Sequence, residues 1–214
     1  MGRRALGKIK PDLDLSSHFV ESIDDLSTPI NGEALFGREA PLEVEIGSGK
    51  GMFLTDAAGQ TPDHNFLGIE VSKKYSRYAA AQLKKHDLPN ARMIHGDGLR
   101  LFREFIPDDS LTAVHVYFPD PWWKRSHRKR RVMNEAFVRD IQRVLIPGCK
   151  LHFWTDVKEY FDVTLKLLAA VTTLEGPHDV VLEELGDQSP WRTHYDRRMK
   201  LNDHPVYRAE YVCP

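Results

Sequence analysis

An open, mostly parallel α/β sheet is the fold this sequence predicts, and two observations predict it. From Leu42 onward, short apolar runs of strand length alternate with segments patterned for helices. Each run also ends in a glycine turn or a carboxylate, which is where sheets of this kind bind ligands. The 214 residues make one domain with small additions, and 41% hydrophobic residues suffice for a substantial core.

The elements follow in order. Residues 1–40 are interrupted by Pro11, Pro29, Gly32 and Gly37, and read as a basic, partly ordered arm; residues 41–214 carry the domain. Leu42–Ile46 is a strand entering a glycine-rich turn, and Lys50–Ala58 has helical composition. Asn65–Ile69 is a buried strand stopping at Glu70, and Ser72 is placed to cap a helix with Tyr75, Tyr78, Ala79 and Leu83 on one face. Ala91–His95 is a third strand, Gly98–Phe105 a short helix, and Leu111–Phe118 a fourth strand. Asn134 caps a helix with Phe137, Val138, Ile141, Val144 and Leu145 on its apolar stripe, and Pro147-Gly148 is expected to stop it. Lys150–Trp154 is a fifth strand, followed by a helix carrying Tyr160, Phe161, Leu167, Leu168 and Val171 on one side. The tail from Val180 to Tyr211 reads as two more strands around a polar loop.

Composition excludes several classes. No apolar run reaches the roughly 18 residues of a membrane span, and no apolar segment follows the basic start as a secretory signal requires. Cys149 and Cys213 are too few for a disulfide framework, so a cytoplasmic setting is expected. The charge is nearly balanced, 30 basic residues against 31 acidic, but it is unevenly distributed. Lys124, Arg125, Arg128, Lys129, Arg130 and Arg131 lie within eight residues, a local footprint of the kind that meets nucleic acid. The ten histidines show no metal-ligand spacing, and no nucleophile arrangement stands out, so no metal is expected.

Glu45-Ile46-Gly47-Ser48-Gly49-Lys50-Gly51 follows the first strand. It lacks the spacing of a phosphate-binding P-loop, and Met52 stands where a dinucleotide fingerprint places its third glycine. An acid followed by G-x-G-x-G is instead what S-adenosylmethionine sites look like, although a glycine turn can be purely structural. Glu70 comes 23 residues after Gly47, close to the roughly 20 at which an acid meets ribose hydroxyls. Asp97 closes the third strand, in place for an adenine amino group. After the fourth strand, Pro119 and Pro121 fix the backbone around Asp120; two tryptophans and the basic run follow. A rigid, partly desolvated carboxylate, aromatic faces and cations in sequence suit one nucleobase within a larger nucleic acid. A proline-rich turn with core tryptophans is the structural alternative. Asp156 ends the fifth strand, where a functional carboxylate and a capping box with Glu159 are equally open.

Together, Glu45-Ile-Gly-x-Gly-x-Gly51, Gly68-Ile-Glu70, Gly96-Asp97, Phe118-Pro-Asp-Pro-Trp-x-Lys124, Lys129-Arg-Arg131 and Thr155-Asp156 resemble the bacterial tRNA (guanine-N7-)-methyltransferases of the TrmB type. The resemblance runs from about Pro41 to the C-terminus. It implies a Rossmann-like methyltransferase domain whose seven-stranded sheet has helices on both faces and an antiparallel last strand. It implies S-adenosylmethionine as methyl donor, tRNA as partner, guanine 46 of the variable loop as target, and a monomer or homodimer. Glu45, Gly47, Gly49, Glu70, Asp97 and Asp120 would line the cofactor region, with Asp120 also catalytic. Lys124, Asp156, Thr193, His194, Tyr195 and Asp196 would bind substrate. Ser126, His127, Arg128, Lys129, Arg130 and Arg131 would meet RNA. Asp196 stands where the family usually has Glu, one methylene longer.

Guanine N7 offers a lone pair and has no proton to lose, so transfer to it requires no obligatory general base. The site must supply an in-line approach and oppose the positive charge that develops on the purine. An amino-group methyltransferase would more usually show Asp/Asn-Pro-Pro-aromatic than Pro-Asp-Pro-Trp. A non-catalytic RNA-binding protein would not require the glycines and strand-end acids, and a nicotinamide oxidoreductase lacks its third glycine.

Overall fold

The computed structural model describes residues 6–10, 12–122, 124–180, 199 and 202–214. Among the described residues, eight strands form one sheet: β1 (Phe19–Val20), β2 (Leu42–Ile46), β3 (Asn65–Glu70), β4 (Ala91–His95), β5 (Leu111–Tyr117), β6 (Leu145–Thr155), β7 (Glu175–His178) and β8 (Tyr207–Val212). Their order is β1-β4-β3-β2-β5-β6-β8-β7. All neighbours are parallel except β8, which runs antiparallel to both β6 and β7. The helices are α1 (Gly32–Phe36), α2 (Met52–Gln60), α3 (Lys73–Lys85), α4 (Gly98–Arg100, continued by a wide turn to Phe105), α5 (Glu135–Val144) and α6 (Lys158–Val171). None of the described helices is long and apolar enough to cross a membrane.

The apolar alternation of the strands explains the two-sided core. Val44, Ile46, Leu67, Ile69, Val114, Val116, Leu151 and Phe153 face α5, α6 and the α4 turn. Phe66, Met93, Tyr117 and Trp154 face the opposite way, where Phe53 and Leu54 of α2 and Ala79, Ala80 and Leu83 of α3 cover them. Asn134 caps α5 as its sequence predicts, its side-chain oxygen accepting from Phe137 N–H at 3.1 Å. Ser72 sits at the cap of α3 without a side-chain capping bond.

Three expectations change. α5 stops at Val144, before Pro147-Gly148, which instead lie inside β6. There Gly148 takes φ +83°, and the pairing with β5 slips between Leu111 and Ala113, because proline has no N–H to give the ladder. Among the described residues the first tail strand lies at Glu175–His178, ahead of Val180, as an exposed edge paired with β8; residues 181–198 of the expected tail lie outside the described residues. The eighth strand is β1, two residues of the N-terminal segment added beside β4. Leu15, Phe19, Ile23 and Ile30 of that segment are buried.

A polar row crosses the sheet on the α2 side. Glu43 accepts from His64 Nδ1 and His115 Nε2, each at 2.7 Å, and Tyr117 shares a 2.9 Å hydrogen bond with the other ring nitrogen of His115. His115 stacks on His152, which pairs with Glu210 at 3.0 Å, and Lys150 completes the row at 2.9 Å.

Candidate active site

The chain runs β2 to β3 to β4 toward one side and β5 to β6 toward the other, so a crevice opens above the carboxyl ends of β2 and β5. Ile46 and Tyr117 end those strands, and the glycine turn and the Phe118–Lys124 segment begin there. Sequence-separated motifs thus meet at the switch point of the sheet.

The glycine turn folds over β3. The N–H groups of Gly47 and Ser48 both donate to Ile69 O, at 2.8 and 3.2 Å, and Gly51 N–H closes the turn onto Ser48 O at 2.8 Å. Gly47 has φ +78° with nothing within 4 Å of where a Cβ would stand, so a ligand has open room against the backbone. Gly51, at φ +73°, begins α2 with its Cα pressed on α3: a Cβ there would lie 2.6 Å from Ala79 Cβ.

Glu70 organises the turn with both oxygens, accepting from Gly49 N–H at 3.0 Å and Ser72 N–H at 2.8 Å. Each carboxylate oxygen keeps a further acceptor site for an incoming hydroxyl. Glu45 is 3% exposed, and its Oε2 has no hydrogen-bond partner. Burial pushes its carboxyl up to about 8, against a hydrogen bond from Ser48 and with the nearby Glu70 charge adding to the rise. A buried, unpaired acid beside an open glycine turn fits a ligand that brings a donor or positive charge, which S-adenosylmethionine does. Asp97 accepts from Leu99 N–H at 2.9 Å and so caps α4 through one oxygen. Ile23, from the N-terminal segment, packs onto Gly96 beside it, a wall of the site that no motif in the sequence signals.

The Pro119-Asp120-Pro121 turn is bracketed by two aromatic residues in left-handed backbone, Phe118 at φ +49° and Trp122 at φ +43°. Such conformations cost on the order of 1–3 kcal/mol each and persist only where surrounding structure enforces them. Phe118 N–H is anchored to Trp154 O at 2.8 Å. Asp120 is exposed, which corrects the expected partly desolvated carboxylate: the turn projects beyond the strand end.

Beyond the turn, a short helix over Arg125–Arg130 presents Lys124, Ser126, Lys129 and Arg130 as exposed residues. The Arg130 guanidinium lies 5.2 Å from the Trp122 ring, and His127 meets the same ring edge-on at 5.6 Å. Arg131 differs from its neighbours. It is 7% exposed, it donates from Nε to Pro121 O at 2.8 Å, and its guanidinium lies 4.8 Å from the Tyr160 ring. Its charge is turned inward, unlike the exposed Lys129 and Arg130 that share its expected RNA-facing role. The side chain of Arg128 and all of Thr193, His194, Tyr195 and Asp196 lie outside the described residues.

Asp156 is not the N-cap of α6, as a capping box with Glu159 would require. The N-cap of α6 is Val157 with no side-chain capping bond, and Thr155 Oγ1 accepts from Val157 N–H at 3.2 Å. Asp156 is half-buried just beyond the end of β6. Tyr160 was not singled out by its sequence except as a core residue. Its hydroxyl accepts from Met133 N–H at 3.2 Å, and burial, with Asp120 among the nearby charges, holds it up to about 12. A separate cavity of about 680 Å³, lined by Asp108, Arg139, Arg143, Thr173 and Cys213, lies near the amino ends of β5 and β6, away from these residues.

Comparison with known proteins gives the family and the fold. Residues 39–209 match the family model described as "Putative methyltransferase". The tRNA (guanine-N(7)-)-methyltransferase of Rhodopirellula baltica is 44% identical over 99% of this chain and 80% of its own. That of Alcanivorax borkumensis is 36% identical over 83% of this chain and 74% of its own. Among solved structures, the 16S rRNA methyltransferase KamB superposes with TM-score 0.58 at 19% identity, over 85% of this chain and 92% of that one. A SAM-dependent methyltransferase from Aquifex aeolicus gives 0.55 at 14% identity, over 86% and 90%. The solved structures share the fold, and the sequence relatives match over most of the chain: the chain belongs to the tRNA (guanine-N7-)-methyltransferase family.

Proposed function

We propose that the protein transfers a methyl group from S-adenosylmethionine to N7 of guanine 46 in the variable loop of tRNA. The observation that carries this reading is the meeting of the Phe118–Lys124 segment with the glycine turn at the switch point, in a chain of this family. S-adenosylmethionine supplies an activated methyl group on a sulfonium centre. Gly47 and Gly49 leave room for it, Glu45 offers its unpaired oxygen to a cationic or donor group, Glu70 accepts from ribose hydroxyls and Asp97 from the adenine amino group.

Asp120 is the catalytic residue in this reading. Its carboxylate accepts from guanine N1–H and N2–H, which orients N7 and opposes the charge that the purine gains. Lys124 and Asp156, with Thr193, His194, Tyr195 and Asp196, hold the target nucleotide. Ser126, His127, Arg128, Lys129 and Arg130 face the RNA backbone, whose phosphates supply most of the affinity. A cytoplasmic setting follows from a tRNA substrate.

The test is methyl transfer from labelled S-adenosylmethionine to unmodified tRNA, followed by nucleoside mass spectrometry. The expected product is 7-methylguanosine, absent when guanine 46 is replaced. A different methylated nucleoside, or transfer that survives the replacement, overturns the assignment.

A further inference from the structure

Three consecutive cations close the basic run, and the structure divides them. Lys129 and Arg130 are exposed, whereas Arg131 is 7% exposed and directed into the protein. Its Nε reaches back ten residues to Pro121 O at 2.8 Å, across the base of the loop that carries the exposed cations. Its guanidinium lies over the Tyr160 ring at 4.8 Å, and Nη2 is buried without a partner. Tyr160 is in turn tied to the same segment, accepting from Met133 N–H at 3.2 Å, and Asn134 Nδ2 donates to Arg131 O at 3.2 Å. A buried cation with a donor unused is a costly way to fill space, so packing alone does not account for it.

What the contact holds is the turn under strain. Pro121 O is the carbonyl between Asp120 and Trp122, and Phe118 and Trp122 hold left-handed backbone on either side. One end of this turn is fixed to β6 by Phe118 N–H on Trp154 O at 2.8 Å. The Arg131 contact fixes the other end to the start of α5 and, through Tyr160, to α6. We propose that Arg131 is a positioning residue, a staple across the base of the loop that sets the backbone of Asp120 for methyl transfer while Lys129 and Arg130 engage RNA. A guanidinium suits the position because it donates in its plane while its face lies on a ring; an ammonium does only one of these well. The proposal rests on the methyltransferase reading for its kinetic consequences, and on the fold alone for its structural ones.

The experiment compares Arg131→Gln and Arg131→Lys with Arg130→Gln in methyl transfer to tRNA, at several salt concentrations, together with amide hydrogen exchange on the free protein. Arg131→Gln is expected to lower kcat by about 10²-fold, as misplacement of a catalytic group does. Its KM for tRNA stays within about threefold and its salt slope is unchanged, because no phosphate contact is lost. Arg131→Lys regains about tenfold of the kcat through the retained donor. The amides of Phe118, Asp120 and Trp122 exchange faster in both Arg131 variants and are unaltered in Arg130→Gln. Arg130→Gln instead raises KM and flattens the salt dependence by about 0.7 to 0.9 of a unit in log–log slope, one phosphate's worth. If Arg131→Gln keeps its kcat and shows that flattened slope, Arg131 is an RNA contact and the proposal fails. Equal losses in Arg131→Gln and Arg131→Lys with unchanged exchange at the turn also overturn it. If Arg131→Gln does not fold, Arg131→Lys and the exchange measurement decide. If the wild-type protein makes no 7-methylguanosine, the functional reading fails separately, and the exchange rates still decide the staple.

Discussion

Glu45 is a carboxyl group kept from water with one oxygen unpaired, and burial raises it to about 8. An acid raised in the fold contributes stability that is fully present below its ordinary value near 4.5 and is lost as pH rises toward 8. Glu45→Gln should therefore raise the stability of the ligand-free protein at pH 8 by on the order of 2 kcal/mol, measured by urea unfolding. The same variant should weaken S-adenosylmethionine binding. It should also abolish a proton release on binding that calorimetry in buffers of different ionisation enthalpy detects in the wild type. Asp120 is exposed, so Asp120→Ala should leave the unfolding midpoint nearly unchanged while lowering kcat by about 10²- to 10³-fold. Transfer at the wild-type rate would remove Asp120 from the catalytic role. The acids at the strand ends were legible in the sequence because their positions repeat with the fold. The inward turn of Arg131 was not, since a run of cations reads alike whether a member faces solvent or a tyrosine ring.

At the level of elements, the glycine turn ties β2 to β3 through Gly47 and Ser48 N–H on Ile69 O, and brings α2 against α3 at Gly51. Gly51→Ala places a methyl group 2.6 Å from Ala79 Cβ, on a residue at φ +73°. We expect a loss of about 2 to 4 kcal/mol, from left-handed strain and overpacking together, with the unfolding transition as readout. The strands from β2 to β5 were legible because each is a short, mostly buried run rich in apolar residues, nearly continuous in β3 and β5 and interrupted by Glu43 and Glu45 in β2 and by Arg92 in β4. β7 was not: Glu175-Gly176-Pro177-His178 is fully exposed and has no apolar alternation, and it is a strand because β8 offers it backbone partners. β1 escaped for a related reason, two residues being too few for any periodicity. The bends at Phe118 and Trp122 were equally hidden, because positive φ at an aromatic residue is imposed by tertiary contacts and not by its own preference.

Over the whole molecule, acid sensitivity should concentrate in the polar row across the sheet. Burial pushes Glu43 up, but hydrogen bonds and charge from His115 and His64 outweigh it and bring the carboxyl down to about 2. The hydrogen bond from His152 leads the lowering of Glu210, also to about 2, against partial burial. Carboxyls lowered in the fold contribute stability above their ordinary value near 4.5 that is lost as pH falls toward 2. The unfolding free energy should therefore decline between about pH 5 and pH 2, and Glu43→Gln should reduce that decline by on the order of 2 kcal/mol. An unchanged acid limb in Glu43→Gln would place the sensitivity elsewhere. The position of β8 has a further consequence, for synthesis. It follows every other described strand in the chain, yet it lies between β6 and β7. A nascent chain translated as far as β7 therefore holds an open flank on β6, where the backbone groups of Lys150 through Thr155 that face β8 lack their partners, and a β7 without its β8 partner. Until Tyr207–Val212 clears the ribosome, that flank can bind another strand, and tRNA modification must await the final insertion.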